Sequence, residues 1–267
     1  MPARWLRIAH RCSGLKDRSI LQNSVNLIHP PLAPLSAQDF LHAVLALRPA
    51  TAVFDCDGTL WSGDAGSGFM HWSMESGLLS REASDWMDAR YRAYQRGEVS
   101  ELDICGEMVQ IYRGLREEEL REAARTFYSH FIAPRIFPVM RQLCADLKAA
   151  GTTLWAVSST SNWVIEAAVV EHFGIPATNI LTAHVAVQDG IITDRLLDVP
   201  TDEGKAVALR RKNISRPDAV FGNSIHDAAM LDTAQHAFAI NPSAALRAVA
   251  ATKGWTIFQP ETPTHAG

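Results

Sequence analysis

Val53-Phe54-Asp55-Cys56-Asp57-Gly58-Thr59-Leu60 joins an apolar run to two carboxylates one residue apart, with Gly and Thr directly after them. In an extended strand, residues i and i+2 point the same way, so Asp55 and Asp57 would share a side at the end of a buried strand. Two such acids repel each other and lose solvation at a cost. A cation, or a reaction that uses two carboxylates, offsets that cost. Matching residues occur at three later places: Ser158-Ser159, Lys205, and Gly222-Asn223-Ser224-Ile225-His226-Asp227. Carboxylates suit a hard cation such as Mg2+, while serine hydroxyls and a lysine ammonium suit phosphate oxygens. The chemistry expected of this set is that of a phosphate group held on magnesium.

The elements that must position these residues alternate. Ser36 is placed to cap a helix over 37–47, which Arg48-Pro49 ends. A strand over 51–54 leads into the acids. From about 61 to 134 every signal is helical, with apolar stripes such as Leu120, Ala124, Phe127 and Phe131. Trp72, Trp86, Tyr91, Tyr94, Phe127 and Tyr128 are expected to be mostly the core of this insertion. Helix and strand then alternate: a helix over 139–149, a strand over 152–157, a helix over 162–173. Runs at 180–187 and 191–196 flank Asp189-Gly190, a hairpin signal. A helix over 205–212, a strand over 219–221, a helix over 227–232 and further β and α segments to 258 complete the pattern. Such alternation predicts an α/β fold, a Rossmann-like parallel sheet core with an inserted helical cap subdomain. The core is expected over 36–60 and 135–260, the cap over 61–134, a tail at 261–267, and a poorly ordered basic extension over 1–35. In open sheets of this kind, ligands bind beyond the carboxyl ends of the strands. That is where all four groups of residues fall.

Asp55-Cys56-Asp57-Gly58-Thr59, Ser158 after a strand, Lys205, and Gly222 to Asp227 together resemble the four ordered motifs of the haloacid dehalogenase-like hydrolase superfamily. The helical insertion is similar to the cap of its phosphoserine-phosphatase-like branch, the subfamily IB type. The resemblance covers roughly residues 50 to 260. It implies a Mg2+-dependent phosphomonoester hydrolase that works through an aspartyl-phosphate. Asp55 would be nucleophile and metal ligand, and Asp57 the general acid and base, lending its backbone carbonyl to the metal. Thr59 would orient Asp57 beside the phosphate, Ser158 and Lys205 would bind phosphoryl oxygens, and Asn223 and Asp227 would complete the metal shell. The cap would open and close, with hinges near Gly63 and Pro134.

Two departures from that pattern bear on function. Asn223 stands where the superfamily usually has an acid, which predicts weaker Mg2+ binding. Asp64, nine residues after Asp55, stands where phosphoserine phosphatases carry a Glu that pairs with the substrate amine. The matching cap arginine is missing, since Gly106-Glu107-Met108 fills that stretch. Loss of a bidentate partner weakens carboxylate recognition. The expected substrate is a small phosphorylated metabolite, phosphoserine-like or an amino-alcohol phosphate. A phosphotransferase or mutase using the same Asp55, and a non-catalytic phosphate-binding protein, are the alternatives.

Composition narrows the classes further. With 267 residues, 47% hydrophobic and 20% charged, the chain reads as a globular domain with an insertion. A formal charge of −4 gives no pull toward nucleic acid or anionic membrane. No apolar run spans a bilayer. Four scattered cysteines without a CxxC pair argue for reduced thiols and a cytoplasmic setting.

Overall fold

A computed structural model of the chain describes residues 35–263, so the expected basic extension and the last residues of the tail lie outside the described residues. Helix α1 (Ala37–Ala46) is capped by the Ser36 side chain, which accepts from Asp39 N–H, and leads into β1 (Thr51–Phe54). Four helices follow: α2 (Ala65–Glu75), α3 (Arg81–Gln95), α4 (Glu101–Gln110) and α5 (Glu117–Phe127). A π-helical turn at Tyr128–Ile132 and a 3-10 turn at Ala133–Arg135 return the chain to α6 (Pro138–Ala149) and β2 (Thr153–Ser161). Then come α7 (Asn162–His172), the hairpin β3 (Ile180–Gln188) and β4 (Ile191–Asp198), and α8 (Glu203–Arg211). The chain closes with β5 (Ala219–Gly222), α9 (Ala228–Leu231), β6 (His236–Ile240), α10 (Ala244–Lys253) and β7 (Thr256–Phe258).

The strands form one sheet in the order β4-β3-β2-β1-β5-β6-β7, parallel throughout except for the antiparallel edge strand β4. This is an α/β, Rossmann-type architecture with β1 at its centre. Strand alternation divides the core. Ala52 and Phe54 pack on one face with Phe40, Phe221 and Phe238, while Val53 packs on the other with Leu209, Leu231 and Leu246. Phe54, Phe221 and Phe238 are cross-strand partners and stack at centroid distances of 4.5 and 4.8 Å. That stack locks the register of β1, β5 and β6. As a result the ends of β1 and β5 reach the same rim, and Asp55 N–H donates to Phe221 O at 2.9 Å.

The helical stretch leaves and re-enters the core through a narrow neck. Trp61 and Ile136 form an antiparallel bridge, Ser62 N–H donates to Arg135 O at 3.0 Å, and Phe137 N–H donates to Leu60 O at 3.0 Å. A second seam ties the α4–α5 turn to the hairpin: Gly114 N–H donates to Ile192 O at 2.8 Å and Glu117 N–H to Gly190 O at 2.9 Å. Among the described residues no helix is long and apolar enough to cross a membrane.

Three elements differ from the sequence expectation. Strand β2 continues four residues past 157, because its end pairs with β3 through a register shift between Ser158 and Ser161. Ser161 therefore stands at the N-terminus of α7. The expected helix over 227–232 begins instead as a 3-10 turn, Ile225–Asp227, before α9. Trp86, expected in the cap core, is 46% exposed, because α3 turns a single residue, Met87, fully inward.

Candidate active site

The strand ends bring the sequence-predicted residues to one cavity of about 260 Å3, lined by Asp55, Asp57, Ser158, Lys205 and Asn223 from the core and by α2, α3 and α4 from the insertion. Its base is a buried charge cluster. Lys205, the third residue of α8, is 3% exposed. Its Nζ donates to Asp55 Oδ1 at 2.7 Å and to Asp227 Oδ1 at 2.6 Å. Burial alone would drive this lysine toward neutrality, but Asp227 and Asp55 overcome it and hold the ammonium charged.

Asp227 sits at the base because its loop folds back on itself. Its Oδ2 accepts from Asn223 N–H and Ser224 N–H, both at 2.9 Å, and the Ser224 hydroxyl caps the turn in return. Asp55 has a second partner as well. The Thr59 hydroxyl donates to its Oδ2 at 2.8 Å. This corrects the expectation that Thr59 orients Asp57: Gly58 takes φ +75° and closes the loop so that Thr59 falls back over Asp55. Burial, reinforced by the charge of Asp227 and opposed by Lys205, raises the Asp55 carboxyl to about 6.

Asp57 is held separately, by three donors. Trp61 Nε1–H and Ala65 N–H both donate to Oδ1 at 2.7 Å, and the Thr160 hydroxyl donates to Oδ2 at 2.8 Å. Gly66 makes room for the last contact, since a Cβ there would lie 2.8 Å from Thr160 Oγ1. Burial and the charge of Asp64 raise the Asp57 carboxyl to about 7, against the pull of the Ala65 and Thr160 bonds. Two carboxylates one residue apart thus have different partners and different proton affinities. Trp61 and Thr160 were not anticipated from sequence. Trp61 carried a readable signal, an indole four residues after an acid in a tight loop, whereas Thr160 carried none.

The remaining residues fall as follows. Ser158 is buried, and its hydroxyl accepts from Thr160 N–H at 3.1 Å, leaving its proton free to donate. Asp64 is the N-cap of α2, accepting from Ser67 N–H at 3.0 Å, and it also lines the cavity. His226 Nδ1 lies 2.7 Å from Asp202 Oδ1, at the rim. Arg211 pairs with Asp198 at 2.6 Å, away from the cavity, in keeping with a solvated helix face.

The donor set suits Mg2+. Asp55, Asp227 and the Asn223 side chain offer hard oxygen donors at and beside the buried base. Three acids (Asp55, Asp57 and Asp227) stand against one ammonium, leaving negative charge in excess. Among the described residues no three His, Cys, Asp or Glu side chains converge into a cage. A magnesium ion is usually held by one or two carboxylates, with water and substrate phosphate at its other positions. Asn223 also packs against a surface only glycine offers, since a Cβ on Gly58 would lie 1.8 Å from Asn223 Nδ2.

A parallel α/β sheet thus carries an acid pair after its central strand, with a lysine and a third acid beside it. The profile of the haloacid dehalogenase-like hydrolases matches residues 52–232, and the chain belongs to that family. A histidinol-phosphatase of Neisseria meningitidis is 28% identical over 219 residues, covering 77% of this chain and 96% of its own. A phosphoserine phosphatase of Mycobacterium tuberculosis is 29% identical over 224 residues, covering 78% and 70%. Among solved structures, a Bordetella pertussis protein of unknown function superposes with a TM-score of 0.69 at 22% identity, covering 78% of this chain and 97% of its own. A substrate-bound phosphoserine phosphatase does so with 0.55 at 15%, covering 80% and 94%. These structural likenesses are ones of fold.

Proposed function

We propose that this hydrolase cleaves a phosphomonoester of a small metabolite through an aspartyl-phosphate on Asp55, with Mg2+ bound by Asp55, Asp227, Asn223 and the Asp57 carbonyl. The observation that carries this reading is the division of labour between the two acids. Asp55 lies against Lys205, where attack on phosphorus would be charge-compensated. Asp57, raised to about 7, can hold a proton and later accept one near neutral pH. Bound magnesium would neutralise phosphate charge, letting a carboxylate approach a dianion. A carboxylate oxygen of Asp55 attacks phosphorus as the ester P–O bond breaks, and Asp57 gives its proton to the departing alkoxide. Water then attacks phosphorus, Asp57 takes the water proton, and the Asp55 carboxylate leaves as inorganic phosphate forms. Lys205 and the Ser158 hydroxyl bear on the equatorial oxygens throughout.

Two relatives point to substrate classes, an amino-alcohol phosphate and phosphoserine. The missing cap arginine favours the first, the class of the ester that names the Neisseria relative. The test is turnover of p-nitrophenyl phosphate and of a panel of phosphorylated metabolites with Mg2+, reading inorganic phosphate. Asp55→Asn is expected to be inert. Mass spectrometry of the quenched wild type should find an 80 Da adduct on Asp55, the expected mass of a phosphoryl group (about 80 Da). No phosphate release from any ester overturns the reading, and transfer to an added alcohol in its place identifies a phosphotransferase.

A further inference from the structure

The charged groups that line the cavity are unevenly placed. Lys205 is its one ammonium or guanidinium among the described residues, and it sits at the base, paired with Asp55 and Asp227. The upper wall carries Asp64 and Glu101, and no Lys or Arg of the described residues lies within ion-pair distance of either. Glu101 opens α4 just after its cap Ser100. The Tyr94 hydroxyl donates to its Oε2, and the Cys105 thiol lies 3.6 Å from Oε1. Cys105 and Ser159 line the same cavity, and α4 packs against β2, so Glu101 stands where the insertion faces the strand ends. The rings of Tyr91 and Tyr94, 6.0 Å apart, line the same cavity with Phe69 and Met108. A separate observation points to a ligand: the Ser161 hydroxyl lines the same cavity, is 8% exposed, and has no hydrogen-bond partner among the described residues. A buried hydroxyl without a partner is costly unless something polar completes it.

We propose that Glu101, held by Tyr94, is a specificity-determining residue that binds a positive centre on the leaving alcohol, and that the preferred substrate is a cationic phosphomonoester without a carboxylate. The proposal rests on the phosphomonoesterase reading above. An ammonium or protonated heterocycle meets a carboxylate that no protein cation neutralises, and aromatic faces that favour cations. A carboxylate on the leaving group would meet Asp64 and Glu101 with no counter-charge.

The test compares kcat/KM of the full chain with Mg2+ on 2-aminoethyl phosphate, ethyl phosphate and phosphoglycolate. Wild type is expected to prefer the aminoethyl over the ethyl ester by about tenfold or more, the scale of a hydrogen bond to a charged group, and to discriminate against phosphoglycolate. Glu101→Gln should lower the aminoethyl-to-ethyl ratio by about tenfold, mainly through KM, and Glu101→Asp should restore part of it. A ratio near one in wild type, or an unchanged ratio in Glu101→Gln, overturns the proposal. Titration calorimetry of the same esters onto Asp55→Asn reads the preference without turnover. Should the wild type hydrolyse nothing, the preceding reading falls, and equal affinity for the aminoethyl and ethyl esters in the calorimeter overturns this one separately.

Discussion

The Thr160 hydroxyl donates to Asp57 Oδ2 at 2.8 Å, joining the end of β2 to the loop after β1 across 103 residues of sequence. This bond opposes the burial that raises Asp57. Thr160→Val should therefore push the Asp57 carboxyl further up. The alkaline limb of kcat/KM, where the free enzyme loses its acid, is expected to move to higher pH. Misplacement of the acid should also lower kcat about tenfold, part of the 10²–10⁴ that general acid–base catalysis contributes. A pH–rate profile checks both, and an unmoved alkaline limb rules out Asp57 as the titrating acid.

Both raised acids make the metal-free fold sensitive to alkali. The folded carboxyls titrate at about 6 for Asp55 and about 7 for Asp57, above the ordinary value of 3.8, so the folded chain holds protons that the unfolded chain has released. That stabilisation is complete below 3.8 and is lost as pH rises through 6 and 7. Asp57→Asn removes one such group. In EDTA, its Tm relative to wild type should climb between pH 5 and pH 8, and parallel Tm curves would contradict the assignment.

Lys205 compensates two buried acids at once. Lys205→Met is expected to cost about 3–5 kcal/mol of stability, as when one partner of a buried ion pair is removed. The loss should be larger at pH 8 than at pH 5, because protonation of Asp55 relieves it. Urea unfolding at the two values measures the difference.

Asn223 is the one neutral side chain of the proposed metal shell. Asn223→Asp adds a negative charge there and should lower the Kd for Mg2+ several-fold in titration calorimetry. Equal or weaker binding would mean that position 223 does not face the ion.

Gly58 tests the same contact from the other side. Gly58→Ala forces a side chain into a φ of +75° and into the Asn223 amide. A left-handed residue other than glycine costs about 1–2 kcal/mol, and displacement of Asn223 should weaken Mg2+ binding in addition. A variant that loses stability but binds Mg2+ as before would separate the loop strain from the metal shell.

Much of the architecture was legible because local chemistry announces it. Asp189-Gly190 marks the β3–β4 turn, Ser36 caps its helix, and apolar runs mark the strands. The acids of the base were legible because they lie in short motifs at strand ends. What was not legible depends on chain that is distant in sequence. Ser158-Ser159-Thr160-Ser161 has the composition of a turn, and only pairing with β3 keeps it extended. Thr59 turns to Asp55 because of the path that Gly58 imposes, which spacing alone does not specify. Glu101 reads as an ordinary first-turn acid of a helix until Tyr94 and the cavity are seen around it.

Asp57 takes its donors from both sides of the neck. Thr160 belongs to the sheet, Trp61 to the neck, and Ala65 to the first turn of α2. The proton affinity of Asp57 is thus set jointly by burial, by the sheet and by the first turn of α2, parts of the chain that meet only in the fold.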